Sequence, residues 1–373
     1  MKIIFNIILY CCCFSLFLSS CAKKESSSGS SSSSATTTAS DNSKSSFSVS
    51  EITQTNEGDG YLSGSFVVPS DGISFMLATF MDNNSVVAFY SLSDPDGTNI
   101  LSSLGTWGGY GFASVLVPQT PNFSAKAGTW TFKNYANDRV KLSLRTGSTP
   151  SAATITVQPY ITGTTWSAND IASALSVMSN IYNSNGITLS LKDTITISES
   201  QYATVSDNFT DSTTSALVSQ GSKDTVNLFF VEDQPSSETA LFGVSAGLPG
   251  TMGIASSWNG VINYLSAHAT GSTLNSQLLG ETAAHEMGHW LGLFHTTEAN
   301  GTSFDPLSDT AQCVISRDSD SNGKVYPEEC EGYGADNLMF WTAWSSSSQA
   351  AGKKQENLSS EQQYILKYSP IAR

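Results

Sequence analysis

Glu281-Thr-Ala-Ala-His285-Glu286-Met-Gly-His289-Trp-Leu-Gly292-Leu-Phe-His295-Thr296 is the stretch from which the rest of the chain is read. His285 and His289 are four apart, so on a helix both imidazoles leave one face, one turn above the other, a spacing that suits two ligands of a tetrahedral zinc. Glu286 lies beside them and is not needed as a ligand. From there it would accept a proton from a water at the metal, as the general base of H-E-x-x-H sites. Gly292 tolerates the left-handed geometry that ends a helix, and the turn would bring His295 round as third ligand. The fourth position is left to water. Three of the chain's four histidines fall in this window. A chance Gly and His at both added places has odds of roughly 1 in 1,000 on composition.

Downstream, Asp318-Ser-Asp320-Ser-Asn322-Gly323-Lys324-Val-Tyr326-Pro-Glu-Glu329 fits the pattern D-x-[DN]-x-[DN]-G-x5-E at every defined place. The side chains of Asp318, Asp320 and Asn322, the Lys324 carbonyl and a bidentate Glu329 would surround one calcium ion, with Gly323 allowing the tight turn. An acidic, solvated hairpin is the competing reading, because no convincing helix flanks the loop and Pro327 is unusual within it. Cys313 and Cys330 bracket the segment and are expected to pair.

The N-terminal end reads as an address. Lys2, an apolar run from Ile3 to Leu18, and Leu18-Ser-Ser-Cys21 resemble a bacterial lipoprotein signal (residues 1–21), with Cys21 as the lipidated residue. A plain secretory signal or an anchor helix is the alternative. The expectation is an exported chain held by lipid to the cell envelope, at the outer membrane or cell surface. Residues 22–46 are a Ser/Thr-rich tether that cannot bury enough apolar surface to order itself. With 17 basic and 32 acidic residues the net charge is −15, which argues against nucleic acid as a partner. Residues 47–150 carry short alternating runs such as Tyr61-Leu-Ser-Gly-Ser-Phe-Val-Val, punctuated by turns such as Asp94-Pro-Asp-Gly97. They predict an all-β sandwich. Trp107-Gly-Gly-Tyr-Gly-Phe112 reads as a Gly-rich loop over the core or an aromatic contact surface. Residues 151–373 change to mixed α and β. A strand begins at Ala153, a helix capped by Ser167 or Asn169 runs through Ile171, Leu175, Met178 and Ile181, and Thr225 to Glu232 suits a sheet centre. Gly260-Val-Ile-Asn-Tyr-Leu265 reads as an edge strand. His268, the one histidine outside the motif, reads as a surface residue.

His285-Glu286-x-x-His289-x-x-Gly292-x-x-His295 resembles the long zinc signature of the metzincin metallopeptidases, most like the pappalysin/cytophagalysin branch. Asp336-Asn337-Leu338-Met339-Phe340-Trp341 resembles the methionine turn of that family, which implies Met339 as an apolar floor beneath the metal. Asp305-Pro-Leu-Ser-Asp309-Thr310-Ala-Gln-Cys313 resembles the stretch that follows the third histidine. Trp341 stands where the branch usually has Tyr, so oxyanion stabilisation is expected to come from elsewhere. After the all-β sandwich read from the pattern, the resemblance implies an α+β metzincin-like catalytic domain with a mixed sheet, an active-site helix and a methionine turn. It also implies a zinc endopeptidase acting on extracellular proteins or peptides. A binding protein or adhesin with purely structural zinc is the reading from another class. A cysteine latency switch is excluded, because no cysteine lies between Cys21 and Cys313. A carboxylate-based block from the β-domain stays open.

Overall fold

The computed structural model describes residues 45–81, 86–105, 107–134, 139–238 and 241–373. The signal peptide with Cys21, and all but the last residues of the tether, lie outside the described residues. Among those described, no helix is long and apolar enough to cross a membrane.

Alternation builds the first part. Strands β1 (Ser46–Ile52), β2 (Gln54–Asn56), β3 (Leu62–Val68), β4 (Gly72–Phe80), β5 (Val86–Val87), β6 (Phe89–Ser93), β7 (Trp107–Tyr110), β8 (Phe112–Val117), β9 (Gly128–Asn134) and β10 (Arg139–Thr146) pair antiparallel throughout. They form a sheet of order β1-β10-β4-β8-β7-β5 and a second of order β2-β3-β9-β6. Phe66 and Val68 of β3, and Trp130 and Phe132 of β9, meet Phe75, Leu77, Val115 and Val117 of the larger sheet in one buried cluster. Trp107 to Phe112 is thus β7 and the start of β8, separated by a bend at Gly111, with Phe112 fully buried and Tyr110 exposed.

β4 and β8 are buried on both faces, which period two makes legible. Phe75 and Leu77 face the sandwich core, while Met76, Ala78 and Phe80 face the other way. On β8, Val115 and Val117 face inward, and Phe112 and Leu116 outward. That outward face packs into the core of the second part, beside Met252, Trp290 and Leu291. Ser114 Oγ donates to the Pro249 carbonyl at 2.7 Å and Ser143 Oγ to the Met252 carbonyl at 2.5 Å, so the Gly-rich loop after Leu248 is tied to the sandwich.

The second part is a six-stranded mixed sheet whose main order is β12-β11-β14-β16-β15, made of β11 (Ala153–Thr162), β12 (Ile187–Leu191), β14 (Val226–Val231), β15 (Gly243–Ser245) and β16 (Val261–Tyr264). β13 (Ile195–Ile197) also pairs with β11. All pairings are parallel except β15 with β16. This corrects the expected edge: the 260–265 segment is paired on both sides, and the three-residue β15 is the free edge beside it.

α1 (Ala168–Ser184) and α3 (Ser276–Trp290) cover one face, while α2 (Ser212–Val218) contributes Leu217 and Val218 to the core on the opposite face. Ser167 caps α1 in a reciprocal box with Asp170, whose Oδ2 accepts from the Ser167 amide at 2.7 Å and hydroxyl at 2.6 Å. α1 buries Ile171, Ala174, Leu175, Met178, Ile181 and Tyr182, one stripe at helical spacing. Gly280 lets α3 approach α1 closely, since a Cβ there would stand 2.6 Å from Val177 Cβ. Tyr182 donates its hydroxyl to the Ala284 carbonyl at 2.9 Å, which pins the middle of α3 one residue before His285.

Candidate metal centre

α3 begins where Asn275 accepts the Leu278 amide at 3.1 Å, and it carries His285, Glu286 and His289 in its last two turns. It ends at Gly292, whose φ of +104° is a conformation that L side chains rarely adopt. A Cβ at Gly292 would also stand 2.6 Å from Leu116 of β8, so sterics as well as φ require glycine there. The turn brings His295 back. Its Nε2 lies 3.2 Å from that of His285 and 3.0 Å from that of His289.

The outer nitrogens decide what can sit between them. His285 Nδ1 is 2.7 Å from the Leu338 carbonyl and His289 Nδ1 is 2.8 Å from the Leu293 carbonyl, while His295 Nδ1 is 3.0 Å from Glu298 Oε1. A carbonyl or carboxylate only accepts, so each Nδ1 carries the hydrogen and donates. The Nε2 atoms of His285 and His289 therefore direct lone pairs at His295. The three converging nitrogens suit a cation, and tetrahedral zinc at about 2.0–2.1 Å from each would space them by about 3.3 Å. The donor set fits the metal. Burial holds His285 down to about 3 and His289 well below its ordinary range, as neutral ligands must be. Burial acts the same way on His295, but the charge and hydrogen bond of Glu298 outweigh it and raise that imidazole.

The methionine turn works on the same residues. Met339 is fully buried, and a Cβ on Gly288 would stand 2.6 Å from its Sδ, so the thioether lies directly against α3 between the two helical histidines. The turn's backbone supplies the Leu338 carbonyl to His285, and the Met339 carbonyl accepts the Thr296 amide at 2.9 Å. Asn337 shapes it by accepting the Met339 amide at 2.8 Å. Trp341 turns away from the histidines' business: its indole N–H donates to the Val325 carbonyl at 2.6 Å.

Glu286 lies against the edge strand β15. The Ser245 backbone favours its ionised carboxylate, and Gly243 lets β15 lie this close, since a Cβ there would stand 2.8 Å from Glu286 Cγ. Burial pushes the Glu286 carboxyl up to about 7, near the range a general base needs at neutral pH. His268 is not on the surface. It is 3 % exposed, donates from Nδ1 to the Tyr264 carbonyl at 2.7 Å, and accepts at Nε2 from Thr282 Oγ1 at 3.0 Å, one helical turn before Glu286. Burial pulls it down to about 4, so it stays neutral. It is a brace between β16 and α3.

Cys313 and Cys330 are joined by a disulfide. Within its loop Asp318, Asp320 and Glu329 each offer a carboxylate oxygen, all within 4.8 Å of one another. The loop's own amides approach the same groups: Asp318 accepts from Asn322 and Gly323, and Glu329 from Ser319 and Tyr326. Asn322 Oδ1 is turned to the Lys324 amide at 2.9 Å. Asp305, from the stretch after the third histidine, is a buried carboxylate that accepts Thr310 Oγ1 at 2.6 Å and is pushed up to about 7 by burial. Glu298, the Ser245 amide and His268 as a brace were not foreseen. Only Glu298, an acid three residues past a ligand, left a trace in the sequence.

Residues 168–296 match the family model described as Metallo-peptidase family M12B Reprolysin-like. An extracellular metalloprotease of Colletotrichum graminicola is 38 % identical over 106 residues, covering 25 % of this chain and 36 % of that protein. A second extracellular metalloprotease of the same organism is 28 % identical over 189 residues, covering 46 % of this chain and 65 % of the relative. The chain thus spans less than two thirds of the length of either. Among solved structures, archaemetzincin from Methanopyrus kandleri aligns with a TM-score of 0.32 at 12 % identity, over 60 % of this chain and 98 % of that one. The matched segment, running from α1 to the third histidine of the triad, is similar to metallopeptidase domains.

Proposed function

We propose that the protein is a zinc-dependent endopeptidase in which His285, His289 and His295 hold the metal and Glu286 is the general base. The observation that carries this reading is the convergence of three imidazole Nε2 atoms, with the carboxylate of Glu286, the residue next to His285, half-buried against β15. Zinc, when bound, supplies Lewis acidity that makes a water acidic and polarises the scissile carbonyl. Glu286 takes the water's proton and passes it to the leaving amine. β15 ends its sheet, so an extended substrate would add along Gly243 to Ser245, directly above Glu286. Met339 supports the histidines from below, and Trp341 takes no part in stabilising the oxyanion.

In this reading the chain is exported, carries lipid on Cys21, and acts on extracellular proteins or peptides. Calcium on Asp318, Asp320, Asn322, the Lys324 carbonyl and Glu329 orders the loop whose Val325 carbonyl holds Trp341, and so steadies the methionine turn. The calcium part is tested by melting temperature with zinc fixed and calcium varied: the native chain should shift upward and Asp318→Ala/Asp320→Ala should not. For the enzyme itself, the recombinant chain should degrade an unstructured protein and stop on addition of a chelator. Glu286→Gln should keep its zinc while activity falls about 10²–10⁴-fold. Full activity in that variant would end the proposal.

A further inference from the structure

We propose that Glu298 is the positioning residue for the third metal ligand, and that its carboxylate sets how tightly the centre holds a divalent cation. The inference rests on the metal reading above and adds a residue to it. The three ligands are not held alike. His285 and His289 stand on α3, and their Nδ1 atoms donate to neutral backbone carbonyls. His295 stands on a loop, and its Nδ1 donates to the carboxylate of Glu298 at 3.0 Å.

The carboxylate is placed by its own frame. The Glu298 amide donates to the Ser303 carbonyl at 3.0 Å, and its carbonyl accepts the Gly301 amide at 2.9 Å. The next residue, Ala299, accepts the Val325 amide at 2.9 Å, so this turn is fastened to the disulfide loop. The Glu298 carboxylate is directed at His295, with which it forms both the hydrogen bond and a close ion-pair contact. A charged acceptor does two things to the imidazole that a carbonyl does less well. It fixes the tautomer and the ring plane, and it raises the basicity of the opposite nitrogen, the one that faces the metal. The charge therefore lies on the ligand that the helix does not hold.

The test is metal affinity of the full chain, by competition for Zn²⁺ with a chromophoric chelator, and the absorption spectrum of the Co²⁺-loaded protein. The native chain should take one Zn²⁺, and His295→Ala should fail to hold it. Glu298→Ala should weaken Zn²⁺ about 10–100-fold and change the Co²⁺ spectrum. Glu298→Gln keeps an oxygen acceptor without the charge, and should recover the native spectrum but only part of the affinity. Melting of the metal-free variants should match the metal-free native chain. Native affinity in Glu298→Ala would overturn the proposal. So would equal losses in both variants accompanied by a lower metal-free melting temperature, since Glu298 would then only be supporting its loop. A native chain that takes no Zn²⁺ is a different result, which removes the metal reading itself and this inference with it.

Discussion

Glu281 stands one helical turn ahead of His285, 6 % exposed, with its carboxylate accepting from Gln277 Nε2 at 2.7 Å. Burial raises its pKa from an ordinary 4.5 to about 7. As pH rises through that window the unfolded chain gives up this proton before the folded chain does. Stability is therefore full below about 4.5 and falls until about 7, by roughly 3–4 kcal/mol for a shift of this size. Glu281→Gln should remove that part of the pH dependence and be the more stable protein at pH 8. Denaturant melts of both zinc-loaded proteins at pH 5 and pH 8 would decide it, and an unchanged difference between the two pH values in the variant would refute it. At this scale the triad was legible because ligand spacing on a helix is a local property. Glu281, His268 and Asp305 were not, because burial is decided by segments distant in sequence. An acid in an amphipathic helix and a histidine after a strand look the same whether or not a neighbour covers them.

The zinc helix and the methionine turn meet through one missing side chain. Gly288 lies in the last turn of α3, where glycine costs up to about 1 kcal/mol relative to alanine, and yet a Cβ there would stand 2.6 Å from Met339 Sδ. Gly288→Ala should therefore gain helix propensity and lose the seat of Met339. We expect unchanged or lower thermal stability, with zinc released at least several-fold faster to a chelator, and a variant that gains stability and keeps its zinc would show that the turn can give way. The disulfide loop is the other element whose worth can be measured. Joining Cys313 to Cys330 across a separation of 17 residues restrains the unfolded chain by about 3 kcal/mol on the loop-closure model. Cys313→Ser/Cys330→Ser should lose stability of that order, read by denaturant midpoint at fixed zinc. The long strands and α1 were visible in their hydrophobic periods. The sheet's edge was misplaced for a physical reason: β15 has only three residues, Gly243–Ser245, too few to show alternation, and all three are half-buried against α3. Val261–Tyr264, fully buried and paired on both sides, was the more conspicuous run and took its place in the reading.

At the scale of the whole molecule, the composition change near residue 150 marks a change of architecture but not an end of packing. The strands of the first part were read from turns and alternation, and the second buried face lies in the run from Ile73 to Phe80, apolar but for Ser74 and Thr79. A strand solvated on one face alternates; one buried on both does not. Met76, Phe80, Phe112 and Leu116 leave water by packing on the second part, and at about 1.5–3 kcal/mol each they contribute roughly 6–12 kcal/mol. That is comparable with the whole margin of about 5–15 kcal/mol by which a domain is stable. Leu116 also abuts Gly292, the residue that turns the chain toward His295, and Phe294 sits where a side chain on Gly105 would have to be. The β-part is thus built into the wall of the metal centre and is poorly placed to act as a detachable inhibitor. A fragment starting at Ala152 should show no cooperative melting transition and no tight zinc, where release of an inhibitor would instead raise activity. Proteolytic rate, zinc content and calorimetry on that fragment and on the chain from Phe47 would separate the two. A fragment that folds, holds zinc and cleaves faster than the longer chain would mean that the shared core is dispensable and that the sandwich restrains the enzyme.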